Sequence, residues 1–290
     1  KALRTLEKMH PAVCFLYLLA VLGFTAFARE PVTVLISLGG SVLLAALSGG
    51  LKGAGWFGAV AVTGALANFL FVHNGETALF FVGDRAFTLE ALCYGAFVGG
   101  MLAAVCLWGA CAVRFVTSDK YIWLFGRIFP AAGLVLSCAI RFLPMFIRTS
   151  REFAAVQNVQ SIRGRLRAFS ASVGYSAERA MDSALSMKAR GYGTSPRTSF
   201  SIYRFTEYTA VSMAAVLAAA GISLVLRVFG AGEYYFYPAL SDIPCGAADI
   251  AMYCAFAALC LLPSAVILYR NIAWIVRNNY GAPSKENNNG

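Results

Sequence analysis

Apolar stretches of about 20 residues recur along this chain, separated by short polar breaks. No other feature restricts the fold as strongly. Each stretch is long enough to cross ~30 Å of hydrocarbon as a helix. In hydrocarbon the backbone must satisfy its own polar groups, which leaves helices and closed barrels. Six segments have this character, at about 11–28, 32–49, 54–72, 91–116, 206–229 and 248–270. The chain is 59% hydrophobic and only 13% charged, whereas a soluble protein carries roughly 25% charged residues. The expected fold class is an all-α polytopic membrane protein, with about six spanning helices and a cytoplasmic amphipathic insert.

The net charge of +10 does not point to nucleic acid. The basic residues flank apolar spans, so cytoplasmic loops and the lipid bilayer account for them. From Arg148 to Arg204 the chain holds ten basic residues against Glu152, Glu178 and Asp182, which places that insert on the cytoplasmic side. The stretches 73–90 and 230–249 are acidic and belong outside. The second carries the interfacial aromatics Tyr234, Tyr235, Phe236 and Tyr237. Residues Thr77 to Thr88 read as a short β-hairpin around Gly83-Asp84.

With Lys1, Arg4 and Lys8 inside, span parity leaves no room for 121–147 to cross as one full helix. Pro130, Arg141 and Pro144 interrupt it, and a bent or interfacial path is expected. Both termini then fall on the cytoplasmic side of the cell membrane. The resulting division is 1–147 (N-terminal membrane region), 148–204 (cytoplasmic helices), 205–270 (C-terminal membrane helices) and 271–290 (a polar, disordered tail). The first apolar run has no obvious cleavage site, so a signal peptide is not expected.

The eight cysteines form no C-x-x-C pair and the two histidines lie far apart. No metal site and no cofactor is expected in this chain. Met145, Met181 and Met187 are read as packing residues. Gly95 and Gly99 form G-x-x-x-G within an apolar span, read as a packing face inside the chain. Arg114 and Arg227 are expected to snorkel to the interfaces.

The insert is polar yet patterned. Ala177, Ala180, Met181, Ala184 and Leu185 fall on one helical face, with Glu178, Arg179, Asp182, Ser183 and Ser186 on the other. Ile162-Arg163-Gly164 and Ala189-Arg190-Gly191 form a short repeat 27 residues apart. Each copy is expected to end its own helix, with Arg in the last turn and Gly at the cap. Two such arginines on neighbouring cytoplasmic helices suit docking to an acidic partner.

Taken together, these motifs resemble the transmembrane T component (EcfT/CbiQ family) of energy-coupling factor (ECF) ABC transporters. The likeness extends over nearly the whole chain. It is carried by His10-Pro11, Thr117-Ser118-Asp119-Lys120, Phe125-Gly126-Arg127-Ile128-Phe129-Pro130, Arg141-Phe142-Leu143-Pro144, the two Arg-Gly motifs and Tyr237-Pro238-Ala239-Leu240. Met187 to Gly193 is the most specific stretch, and Ile162 departs from the usual Ala-Arg-Gly.

The resemblance implies a non-catalytic coupling subunit. Ile162, Arg163, Gly164, Ala189, Arg190 and Gly191 would engage two ABC-type ATPase subunits. Arg141 and Pro144 would brace the membrane body against the coupling helices. A small membrane-embedded S component would bind the substrate, a vitamin or a transition-metal ion such as cobalt. The absence of a G-x-x-x-x-G-K-[ST] loop from the sequence fits energy drawn from a partner. Two other classes compete. An integral-membrane enzyme lacks the Asp clusters, G-x-S-x-G or H-E-x-x-H motifs it would need. A self-sufficient secondary transporter would carry paired acidic groups at midplane or inverted repeats, and neither is evident.

Overall fold

The computed structural model describes residues 9–49, 54–72, 77–82, 85–156, 162–194, 203, 205–237 and 240–280. In chain order the elements are α1 (Pro11–Ala26), α2 (Pro31–Leu47), α3 (Ala54–Phe71), β1 (Ala78–Val82), β2 (Arg85–Thr88), α4 (Leu89–Phe115), α5 (Ser118–Ile128), α6 (Pro130–Val156), α7 (Ile162–Ala189), α8 (Glu207–Val228) and α9 (Ala247–Tyr280). They form two compact units. One comprises Lys1–Thr117 with Phe205–Gly290, and the other Ser118–Arg204.

The protein is an α-helical, membrane-embedded chain. Four helices among the described residues are long and apolar enough to cross a bilayer: α4, α6, α8 and α9. Helices α1, α2 and α3 are as apolar but have 16, 17 and 18 residues, which gives about 24–27 Å at 1.5 Å per residue. By length alone, then, the expected six spans are not reached. The reason is local. Polar breaks start and stop these helices early, with Pro11 and Pro31 each fixing a first turn.

Within the first unit, local chemistry sets the helix ends. His10 Nδ1 accepts from the Ala12 amide at 3.3 Å. Thr88 Oγ1 accepts from the Ala91 amide at 3.4 Å and so caps α4. The expected hairpin forms, with β1 and β2 antiparallel and Phe81 paired with Ala86. Its turn, Gly83-Asp84, lies outside the described residues.

The core of this unit gathers Tyr17, Val21, Leu44, Trp108, Phe256 and Leu259. A polar thread runs through it. Trp108 Nε1 donates to Ser37 Oγ at 3.0 Å, and Ser37 Oγ lies 2.7 Å from Thr25 Oγ1. Hydrogen bonds of this kind fasten helices where lipid offers no hydrophobic contrast.

Close approach fastens α3 to α4. A Cβ added at Gly99 would stand 2.2 Å from the Ala61 carbonyl oxygen, and one at Gly95 2.6 Å from that of Ala65. The G-x-x-x-G face therefore packs inside the chain, as expected. One aromatic of the 230–249 stretch turns inward as well, whereas Tyr235 is exposed. Phe236 is buried and lies 5.2 Å from Tyr94 and 5.0 Å from Phe97 between ring centroids.

In the second unit, the segment 121–147 is divided. Helix α5 stops at Ile128 and α6 begins at Pro130, because the residue before a proline is pushed out of the helical region. The chain folds back sharply there, with a Cβ on Gly133 placed only 2.3 Å from the Gly126 Cα. Contrary to expectation, Pro144 does not break α6. The helix runs through it to Val156, so the boundary expected at 148 falls inside a continuous helix. The expected disordered tail is also partly helical, since α9 continues to Tyr280.

Candidate functional site

The two Arg-Gly motifs lie on one element. Ile162, Arg163 and Gly164 make up the first turn of α7, and Ala189 is its last residue. This corrects the expectation of two helices that each end in Arg-Gly. Gly164 sits within the helix, not at a cap. Nothing between Ile162 and Ala189 stops the helix, because an interior glycine costs only about 1 kcal/mol and no proline intervenes. The motifs are thus held about 40 Å apart along a rigid rod.

The second motif forms the expected cap. Gly191 has φ +81°. The Tyr192 amide donates to the Met187 carbonyl at 3.1 Å, and the Gly191 amide to the Lys188 carbonyl at 3.0 Å. That pair of bonds is the Schellman arrangement. Arg163, Ala189, Arg190 and Gly191 are all exposed, and Ile162 is 76% exposed.

The electrostatics of the two ends differ. Lys188 and Arg190 sit at the negative end of the α7 dipole, where cations are favoured. The opposite end has no acidic residue in its first turn, yet it carries Arg163, Arg165 and Arg167. Cations there oppose the dipole. Local helix chemistry accounts for Arg190 and leaves Arg163 without a local reason.

Helix α7 packs on α6 through a narrow seam. Ala168, Ser172 and Thr149 are buried, and Phe146–Phe169 and Phe153–Tyr175 meet edge-on at 6.2 and 6.0 Å. Beside the seam, Arg141 of α6 lines a groove with Arg179, Asp182, Ser183 and Ser186 of α7. Arg141 is thereby brought to α7, whereas Pro144 is an exposed residue of α6.

A cluster in the first unit has no counterpart among the sequence expectations. Glu30, at the cap position of α2, has a fully buried side chain and lies 3.5 Å from Arg227 of α8. Tyr253 Oη donates a short hydrogen bond to Glu30 Oε2. Asp249 receives the Gly232 amide at 2.7 Å and the Gly246 amide at 2.9 Å. A Cβ on Gly232 would collide with the Glu30 carboxylate, so the turn after α8 rests directly on this acid. Burial pushes the Glu30 carboxyl above its usual range, against the opposing pull of Tyr253 and Arg227.

Arg227 therefore does not snorkel. It is buried to 16% side-chain exposure against Glu30, and its guanidinium lies over the Phe24 ring. A lone cation near the end of an apolar helix is the signal that could have found it, since such a charge needs a partner and the spans hold almost no acids.

No protein-family model matches the chain, and no curated protein matches it.

Proposed function

We propose that this chain is the non-catalytic transmembrane coupling subunit of an ECF-type ABC importer. In that reading it passes the ATP-driven motion of two cytoplasmic ATPases to a small substrate-binding S component, for uptake of a vitamin or a metal ion. Six crossings by α1, α2, α3, α4, α8 and α9, with α6 lying along the cytoplasmic face, a cytoplasmic 148–204 region and cytoplasmic termini in the cell membrane complete it. The single observation that carries the proposal is Arg163, exposed in the first turn of α7 against the helix dipole. A cation kept there is explained by an acidic surface outside the chain.

Support comes from the rest of α7. The helix is exposed along most of its length and presents Arg163 and Arg190 at its two ends. Two ATPases, each taking one end, would use that separation. The unit from Ser118 to Arg204 also concentrates the charge, with 13 of the chain's 24 basic residues and only four of its 14 acidic ones. A self-sufficient secondary transporter has one observation in its favour, the buried Glu30. That acid is held at helix ends by Arg227 and Tyr253, whereas coupling sites gather at midplane.

The test is substrate uptake by membranes carrying the full complex, together with co-purification. The double variant R163E/R190E is expected to fold and insert normally, to lose the ATPases on purification and to abolish uptake. Normal uptake by that variant refutes the arginine-docking role. Gradient-driven uptake by the single chain without ATPases would establish the transporter alternative.

A further inference from the structure

The groove between α6 and α7 joins two kinds of surface. Its polar part is lined by Arg141, Arg179, Asp182, Ser183 and Ser186 and has a volume of about 360 Å³. Its apolar part continues along α6 past Ala139, Leu143 and Phe146 and has a volume of about 240 Å³. Phe142, Met145 and Arg179 line both, so the two parts form one continuous depression. The polar part falls within the ~300–1,000 Å³ range of small-molecule sites, and the apolar slot extends it.

The charges of the polar part are unbalanced. No carboxylate among the described residues comes within ion-pair distance of Arg141 or Arg179, although Asp182 shares the groove. Arg141 stands midway along α6, next to the apolar side chains Phe142 and Leu143. A cation at such a place requires an anion or water. Among the described residues, the contacts of Arg179 are neutral. It donates to Tyr175 Oη at 3.4 Å and lies over the Tyr175 ring at 5.6 Å. These contacts orient the guanidinium without neutralising it. The hydroxyls of Ser183 and Ser186 add hydrogen-bonding capacity beside it.

We propose that this groove binds one glycerophospholipid with a monoanionic headgroup. Its phosphodiester lies between Arg141 and Arg179, its headgroup hydroxyls meet Ser183 and Ser186, and one acyl chain fills the slot along Phe142 and Phe146. Two arginines against one aspartate leave a single positive charge, which suits a phosphodiester better than a dianionic phosphomonoester. Arginine forks match the paired oxygens of a phosphate. The apolar slot, contiguous with the cationic one, favours a lipid over free phosphate, which would leave it empty. The site stands whether or not the chain couples ATPases, because it uses neither Arg163 nor Arg190.

The experiment is native mass spectrometry of the detergent-purified, delipidated full chain, titrated with phosphatidylglycerol or phosphatidylcholine. The expected result is one tightly retained phosphatidylglycerol, preferred about tenfold over phosphatidylcholine. R141Q/R179Q should abolish that preference, while R167Q, on α7 outside the groove, keeps it. If the double variant does not fold, a phosphatidylglycerol with a photoreactive acyl chain decides on the wild type. Labelling within 139–146 supports the site, and labelling confined to other segments overturns it. Equal retention of both lipids, complete displacement of the lipid by millimolar inorganic phosphate, or capture of an acidic peptide in place of lipid would each overturn it too.

Discussion

Glu30 Oε1 lies 3.5 Å from Arg227 Nη1, joining the break after α1 to the last turn of α8. Removing one partner of a buried pair leaves an uncompensated charge, which costs about 3–5 kcal/mol. R227A is therefore expected to destabilise the chain by roughly that amount. E30Q/R227Q, which removes both charges, should be milder than R227A. Denaturant unfolding in detergent measures both. Equal losses in the two variants would show that the charges do not act as a pair.

The same pair gives the protein a pH dependence. Burial raises the folded-state pKa of Glu30 above its ordinary 4.5, so the folded state holds this proton more tightly than the unfolded one. The stabilisation is fully present below pH 4.5 and is lost as pH rises through the raised folded value. The melting temperature is expected to fall over that window and then level off. E30Q should flatten the fall. An unchanged pH profile in E30Q would assign the dependence to other groups.

Gly99 and Gly109 lie on the same helix in opposite circumstances. A Cβ at Gly99 meets the Ala61 carbonyl at 2.2 Å, while one at Gly109 meets nothing within 4 Å. G99A is expected to cost about 1–3 kcal/mol by forcing α3 away from α4. G109A should be neutral or contribute up to about 1 kcal/mol through helix propensity. Thermal shift assays on the pair distinguish close packing from propensity, and equal shifts would refute the packing role.

Along α7 the sign of a glycine substitution changes with its place. Gly191 has φ +81°, where an added Cβ costs about 1–2 kcal/mol. Gly174 lies inside the helix with open space around it, and alanine there gains up to about 1 kcal/mol. Hydrogen exchange of the last turn of α7 should speed up in G191A and slow down, or stay unchanged, in G174A.

Much of this architecture was legible in the sequence, and the reasons can be traced to particular residues. The apolar runs announce helices because burial in lipid demands internally satisfied backbone. Gly83-Asp84 announced a hairpin, and Gly191 announced a cap, because those features are local. Gly95 and Gly99 implied a close helix contact, though not its partner. Gly164 misled because the same Arg-Gly pair reads as a cap, yet fits a first turn when the chain after it continues to favour helix. Pro144 misled in the same way, since a proline can be carried inside a long helix when its other contacts hold.

What the sequence determined by itself is the class of molecule and the position of its charges. A helical membrane chain with a basic 148–204 region follows from hydropathy and charge counts, which need no knowledge of contacts. What only the tertiary structure decided is which distant residues meet. The pairing of Glu30 with Arg227, the seating of Gly232 on that carboxylate and the meeting of Arg141 with Arg179 each join separate helices. Period and propensity describe one helix at a time. The partner of a buried charge is fixed by how helices pack, and that depends on the volumes and close approaches of the whole bundle.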